Sequence, residues 1–224
     1  MPEILYEDNH LIIVNKPFGM LTHGDKTGDQ SLEDVLKAYI KKKYHKPGNV
    51  YLKSVHRLDR PTTGTLMFAR TSKGHERMAK QFKDRKVEKV YLALTRKMPV
   101  PEQGTVSHYL RKNYEKNFVE FHNKEVNNAK LATTNYETLA QIGQYALIEL
   151  KPETGRSHQL RVMLQSLGCP IVGDVKYNGV KASNPRAIML HSKSLTFTHP
   201  TLKEPMTVEA GLPDLDEWHL VRNR

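Results

Sequence analysis

The densest run of reactive side chains is His56-Arg57-Leu58-Asp59-Arg60-Pro61-Thr62-Thr63-Gly64. Asp59 is a carboxylate between two guanidinium groups, Arg57 and Arg60. Nearby cations favour the ionised form of an aspartate, and an ionised carboxylate is a nucleophile at neutral pH. The same residues also suit a plain turn, because Asp, Pro, Thr and Gly are turn formers and the arginines can be solvated surface charge. Composition alone leaves these two readings level.

A second run, Glu153-Thr154-Gly155-Arg156-Ser157-His158-Gln159-Leu160-Arg161, precedes apolar residues at helical spacing. Cations in the first turn oppose the helix dipole, so Arg156, His158 and Arg161 point to an anion held there. The plainer alternative is an exposed pairing of Arg161 with a surface carboxylate, worth ~0–1 kcal/mol. Other chemistries lack their signatures. Gly19 and Gly24 have the spacing of a phosphate loop, but Asp25 stands where a lysine is required. There is no G-x-G-x-x-G, no H-E-x-x-H among the 11 histidines and no G-x-S-x-G elbow.

Short elements must carry these runs. Ile4–Glu7 and Leu11–Val14 read as two strands around an Asp8-Asn9 turn. Ser31-Leu32-Glu33-Asp34 reads as a capping box, with Asp in place of Glu, opening a helix that ends in Lys41-Lys42-Lys43. Lysines suit a helix C-terminus electrostatically. Thr65–Ala69 reads as a buried strand, followed by a helix from Ser72 and a strand over Val87–Thr95. Gly104–Leu150 is strand-rich. A third helix is expected over Ser157–Leu167, stopped by Gly168 and Pro170. Ala187–His199 and Pro205–Glu209 are strand-like again. Strands dominate and helices are inserted singly, which argues for one continuous α+β domain over residues 1–224 with a long mixed, mainly antiparallel sheet flanked by helices and loops.

Composition narrows the partner. The 224 residues carry 35 Lys and Arg against 24 Asp and Glu, a net charge of +11, and such an excess suits a polyanion such as nucleic acid. The one cysteine, Cys169, excludes an internal disulfide and a thiolate-rich zinc site, and it fits a reducing cytoplasm. No apolar run reaches the ~20 residues a membrane helix needs, and Met1-Pro2-Glu3 does not start a secretory signal.

His-Arg-Leu-Asp-x-x-Thr-x-Gly, followed about a hundred residues later by Thr-Gly-Arg-x-His-Gln-Leu-Arg, resembles the RluA family of RNA pseudouridine synthases. Lys16-Pro17-Phe18-Gly19 with His23 looks like that family's first motif, and Lys89-Val90-Tyr91-Leu92-Ala93 like its tyrosine motif. Gly173-Asp174-x-Lys-Tyr177 and Leu190-His191-Ser192 resemble later segments, so the likeness spans about residues 4 to 213. One departure is Thr63 where the family usually has Ser; a hydroxyl is kept. The S4-type RNA-binding domain of some members is not seen before the first motif, so targeting is expected to come from the catalytic domain or its loops.

The resemblance implies a pseudouridine synthase fold and, residue by residue, a set of roles. Asp59 is the catalytic aspartate. Arg57 helps displace the target base and fills its place. Tyr91 packs on the flipped uracil, Leu160 lines the pocket, and Arg161 pairs with Asp59. It also implies no metal and no organic cofactor. The chemistry suits these residue types: uracil leaves C1′ at N1, turns, and rejoins through C5. A carboxylate can trap or stabilise the sugar centre much as a retaining glycosidase nucleophile does. Attack on the sugar and removal of a sugar proton are both compatible with Asp59. The expected partner is ribosomal or transfer RNA, with a monomer as the default. Two competitors are a non-catalytic RNA-binding protein on the same fold and a nucleoside glycosidase. The first is disfavoured by the retained Asp59, Tyr91 and Arg161, the second by the lack of a second placed carboxylate.

Overall fold

The apolar run Leu11–Val14 is fully buried along its whole length in the structure, a computed structural model in which residues 1–222 are described. In chain order, β1 (Glu3–Glu7) and β2 (Leu11–Lys16) precede α1 (Leu32–Lys43), β3 (Lys53–Ser54), β4 (Thr63–Ala69) and α2 (Ser72–Lys83). Then come β5 (Glu88–Thr95), β6 (Gln103–Asn113), β7 (Phe118–His122), β8 (Lys130–Ile142) and β9 (Tyr145–Pro152). The chain ends with α3 (Gln159–Ser166), β10 (Leu190–Thr198), β11 (Pro205–Glu209) and α4 (Asp216–Arg222). These elements form two compact units. One is Met1–Glu88 with Ser192–Pro213; the other is Lys89–His191 with the chain from Asp214 on.

In the first unit the strand order is β1-β2-β4-β10, with β3 on β4 and β11 on β10. β1–β2, β2–β4, β3–β4 and β10–β11 are all antiparallel. Side chains alternate across a strand. Leu11 and Ile13 therefore share one face with Met67 and Ala69, where Met78, Val87, Leu195 and Phe197 complete a core. Ile12, Val14, Leu66 and Phe68 project to the other face and are fully buried too. Burial on both faces explains why β2 reads as a continuous apolar run rather than an alternating one. Each such side chain stabilises the fold by roughly 1.5–3 kcal/mol.

The helix starts follow their caps. Ser31 and Asp34 form the expected capping box, the Asp34 N–H donating to Ser31 Oγ at 3.3 Å and the Ser31 N–H to Asp34 Oδ2 at 3.1 Å. The first two helical N–H groups, on Leu32 and Glu33, are met by the carbonyls of Leu21 and Thr22. Thr71 caps α2 by accepting from the Gly74 N–H at 3.1 Å.

In the second unit the order is β5-β9-β8-β6-β7, antiparallel at each step. α3 lies against β6, β7 and β8, closing a core of Leu110, Val119, Ala132, Val162 and Tyr177. The α+β class and the mainly antiparallel pairing are those expected from sequence. Gly168, at φ +71, ends the third helix as expected. Its start differs: α3 begins at Gln159, not Ser157, because His158 adopts a left-handed conformation at φ +51. α4 has no counterpart in the sequence reading. It is anchored by the fully buried Trp218, and Glu217 accepts from Ser183 N–H and Oγ–H at 2.7 and 2.8 Å. Among the described residues, no helix is long and apolar enough to cross a membrane.

Candidate active site

Asp59 sits on the loop that joins β3 to β4, and that loop is held from several sides. At its start, the edge of β4 is completed by a side chain. The Met67 N–H donates to His56 Nε2 at 3.1 Å, which puts the ring proton on Nδ1. The His56 ring also stacks on Phe82 of α2, with centroids 4.9 Å apart. Next, Thr22 grips Leu58, its hydroxyl donating to the Leu58 carbonyl at 3.0 Å and accepting from the Leu58 N–H at 3.3 Å. Beyond Asp59, the Thr62 N–H donates to the Asp59 carbonyl at 3.0 Å and closes a turn over Arg60-Pro61.

The Lys16-Pro17-Phe18-Gly19 segment finishes the clamp. Lys16 is fully buried at the end of β2, and its ammonium donates to the carbonyls of Pro17, Arg60 and Thr62 at 3.1, 3.0 and 2.8 Å. In the ammonium form three donors meet three acceptors. Burial pushes this ammonium down to about 7, with the charge of Asp59 pulling it up and that of Arg60 pushing it down. The Gly19 N–H also donates to the Arg60 carbonyl, and Arg60 Nε donates to the Gly19 carbonyl at 3.0 Å. The residues on both sides of Asp59 are thus fixed to the first motif. Asp59 itself is partly exposed. Arg57 is exposed, and Arg60 makes a half-exposed ion pair with Asp29 at 2.7 Å.

Gly64 closes the motif for a steric reason. Its φ is +110, and a Cβ there would lie 2.2 Å from the Ser192 carbonyl oxygen. Only glycine lets β4 approach Ser192 so closely in that conformation. The neighbouring Thr65 Oγ1 lies 2.9 Å from Ser192 Oγ.

The second unit holds Tyr91, Leu160 and Arg161, all buried. Tyr91 lies on β5, opposite Leu150 of β9. The Thr154–Arg161 segment is built around Gln159. Its Oε1 accepts from Thr154 Oγ1–H at 2.8 Å and the Arg156 N–H at 2.9 Å. Its Nε2 donates to the Thr133 carbonyl and Thr134 Oγ1 at 3.0 and 2.9 Å. Four contacts fill the amide and fix its orientation. Arg156 precedes the helix and donates through Nε to the Leu131 carbonyl at 3.0 Å. Arg156 therefore stands before α3 rather than in its first turn, which corrects the expected helix start.

Arg161 is not an exposed surface pair. Its Nε and Nη2 each donate to Asp174 at 2.7 Å, one bond to each carboxylate oxygen, and both side chains are at most 7% exposed. Such a bidentate pair fixes the plane of the guanidinium. The guanidinium lies 5.0 Å from the centroid of the Tyr177 ring. Tyr177 Oη accepts from the Val119 N–H at 2.9 Å, which leaves its own proton for His158 Nδ1 at 2.7 Å. The left-handed His158 is thus tethered by the residue that supports Arg161. Lys16, Thr22, Asp174 and Tyr177 received no role from sequence reasoning. Lys16, Asp174 and Tyr177 lie inside quoted motifs, so a signal was present; what each holds is a tertiary fact.

The comparisons with known proteins agree with this architecture. A family model described as RNA pseudouridylate synthase matches residues 10–166, a range that includes Lys16, Asp59, Tyr91, Leu160 and Arg161. The chain is 35% identical over 243 residues to the tRNA pseudouridine synthase C of Haemophilus ducreyi, covering 99% of this chain and 95% of that protein. It is 34% identical over 212 residues to the ribosomal large subunit pseudouridine synthase C of Rickettsia bellii, covering 94% and 68%. The structure matches human RNA pseudouridylate synthase domain containing 4 with a TM-score of 0.80 at 29% identity, over 98% of this chain and 93% of that one. The α+β arrangement is therefore a pseudouridine synthase fold. With its first four motifs inside the matched region and a relative aligned almost end to end, the chain belongs to the RNA pseudouridylate synthase family and is an isomerase acting on RNA.

Proposed function

We propose that this protein converts uridine to pseudouridine in a structured RNA, with transfer RNA as the favoured substrate and Asp59 as the catalytic carboxylate. The observation that carries the reading is the clamp on the Asp59 loop. Lys16, Gly19 and Thr22 fix Leu58 and Arg60 while Asp59 stays partly exposed. Positioning of that kind is what a reacting group needs and a surface turn does not. Transfer RNA is favoured because the relative covered over nearly its whole length carries that substrate in its name.

In the reaction the target base leaves its stack, at a cost of a few kcal/mol. Arg57 assists the displacement and occupies the space left behind. Tyr91 packs on the extruded uracil, and Leu160 and Arg161 complete the substrate contacts. The N1–C1′ bond breaks, the uracil turns, and the C5–C1′ bond forms. The C5 proton is released and N1 takes one up, so no atom is gained or lost overall. The isomerisation is redox-neutral and asks for no oxidant, reductant or group carrier. The reading includes a monomer working in the cytoplasm, where its RNA is.

The test is tritium release from transfer RNA and ribosomal RNA transcripts labelled at uridine C5. Release from transfer RNA is the expected result. Release from ribosomal RNA alone would move the substrate, and release from neither, nor from total cellular RNA, would end the reading.

A further inference from the structure

Between Lys37 and Lys53 the chain carries six lysines and three tyrosines and no acidic residue. Complementing the dipole of α1 accounts for lysines in its last turn. It does not account for Lys46 and Lys53, which lie beyond the helix. Among the described residues, Lys37 pairs with Glu33 and Lys43 with Glu7. Lys41, Lys42, Lys46 and Lys53 are exposed.

The surrounding structure orders this surface. Glu7 Oε2 accepts from Tyr39 Oη–H at 2.9 Å and Lys43 Nζ at 2.7 Å, while Oε1 accepts from Tyr44 Oη–H at 2.9 Å and Arg70 Nη1 at 3.2 Å. Burial pushes the Glu7 carboxyl up, but the bonds from Lys43, Tyr44 and Tyr39 outweigh it and hold the carboxyl below its usual value. Glu7 is thus occupied in fixing Tyr39 and Tyr44. Arg70 lies 4.6 Å from the Tyr44 ring centroid, and Tyr44 and Tyr51 remain 42% and 43% exposed. Exposed aromatic surface among exposed lysines is a platform for a phosphate backbone with bases to stack.

Its position is informative. Lys53 pairs with Ala69, at the far end of β4 from Gly64, where Lys16 and the Asp59 loop lie. Five residue steps of a strand separate those ends by about 17 Å.

We propose that the end of α1 and the loop through Lys53 form a second RNA contact, gripping substrate backbone about 17 Å, the length of β4, from the Asp59 end of the strand. This rests on the reading of the protein as an RNA-modifying enzyme and extends it. The contact lets the enzyme select a folded RNA over a short strand carrying the same uridine.

The experiment compares wild type with the triple variant Lys41→Gln, Lys42→Gln, Lys46→Gln. Two RNAs are used, a full transfer RNA transcript and a stem-loop too short to span the distance. Binding is measured against salt, and turnover by tritium release. For the full transcript, the log–log salt slope should fall by about 2–3, since each phosphate contact contributes ~0.7–0.9. KM should rise about tenfold or more at low salt, with kcat unchanged. For the stem-loop, binding and turnover should match wild type. An unchanged slope on the full transcript, or an equal loss on both RNAs, would overturn the proposal. So would a variant that binds RNA normally but no longer binds vesicles containing phosphatidylserine, since the patch would then face a lipid surface. If wild type binds both RNAs but releases no tritium, the enzymatic reading fails by itself, and the slopes still decide this contact.

Discussion

Lys16 shows how a single residue's role is written in tertiary contacts. It is fully buried, and its three N–H groups reach three carbonyls, two of them in the loop that carries Asp59. From sequence it was one letter of a recognised motif, and nothing in its neighbours pointed to burial. Its pKa, held down to about 7 by burial, lies below the ~10.4 of a lysine in an unfolded chain. Between those values the unfolded state binds more protons, so this residue's contribution to stability rises with pH across that window. Lys16→Met removes donors from three carbonyls at about 1–3 kcal/mol each, so it should destabilise the protein by roughly 3 kcal/mol or more. Urea melts of both proteins should show the wild-type advantage growing from about pH 7 to pH 10. An advantage that stays constant with pH would contradict this account of the site. Arg161 gives the complementary lesson. Its motif was legible, but its bidentate partner Asp174 was not, because only the fold brings the two segments together.

At the scale of elements, the boundaries that local rules govern were legible. The Ser31–Asp34 capping box opens α1, and Gly168 closes α3. The start of α3 was not, because His158 takes a left-handed conformation that its tether to Tyr177 sustains. α4 was missed because its seven residues are too few to show a helical period, and the burial of Trp218 anchors it instead. Gly64 makes the contrast testable. A Cβ there would sit 2.2 Å from Ser192 O at φ +110, whereas one on Gly155 would meet nothing within 4 Å. Gly64→Ala should therefore cost about 3 kcal/mol or more, and Gly155→Ala less than about 1 kcal/mol. Chemical denaturation of the two variants measures both. Equal costs would show that the approach of β4 to Ser192 is not what selects glycine.

For the whole molecule, the net charge of +11 and the ordered motifs pointed to the same partner, and the family assignment agrees. Charge alone left the surface that binds RNA undefined, because 35 basic residues are spread along the chain. Only the structure shows which of them lie exposed beside fixed tyrosines. The division into two units was also hidden, since no linker composition marks it: residues from Ser192 to Pro213 join a unit formed mostly by the first 88 residues. Asp59 carries the central claim. Asp59→Asn keeps the shape of the side chain and removes the charge the reaction needs. The measurement is tritium release from C5-labelled transfer RNA, with RNA titration and thermal melting run on the same preparation. The account predicts turnover reduced by about 10³-fold or more, with RNA affinity and melting temperature close to wild type. A well-folded Asp59→Asn protein with near-normal turnover would contradict it and leave Asp59 as a residue of the turn.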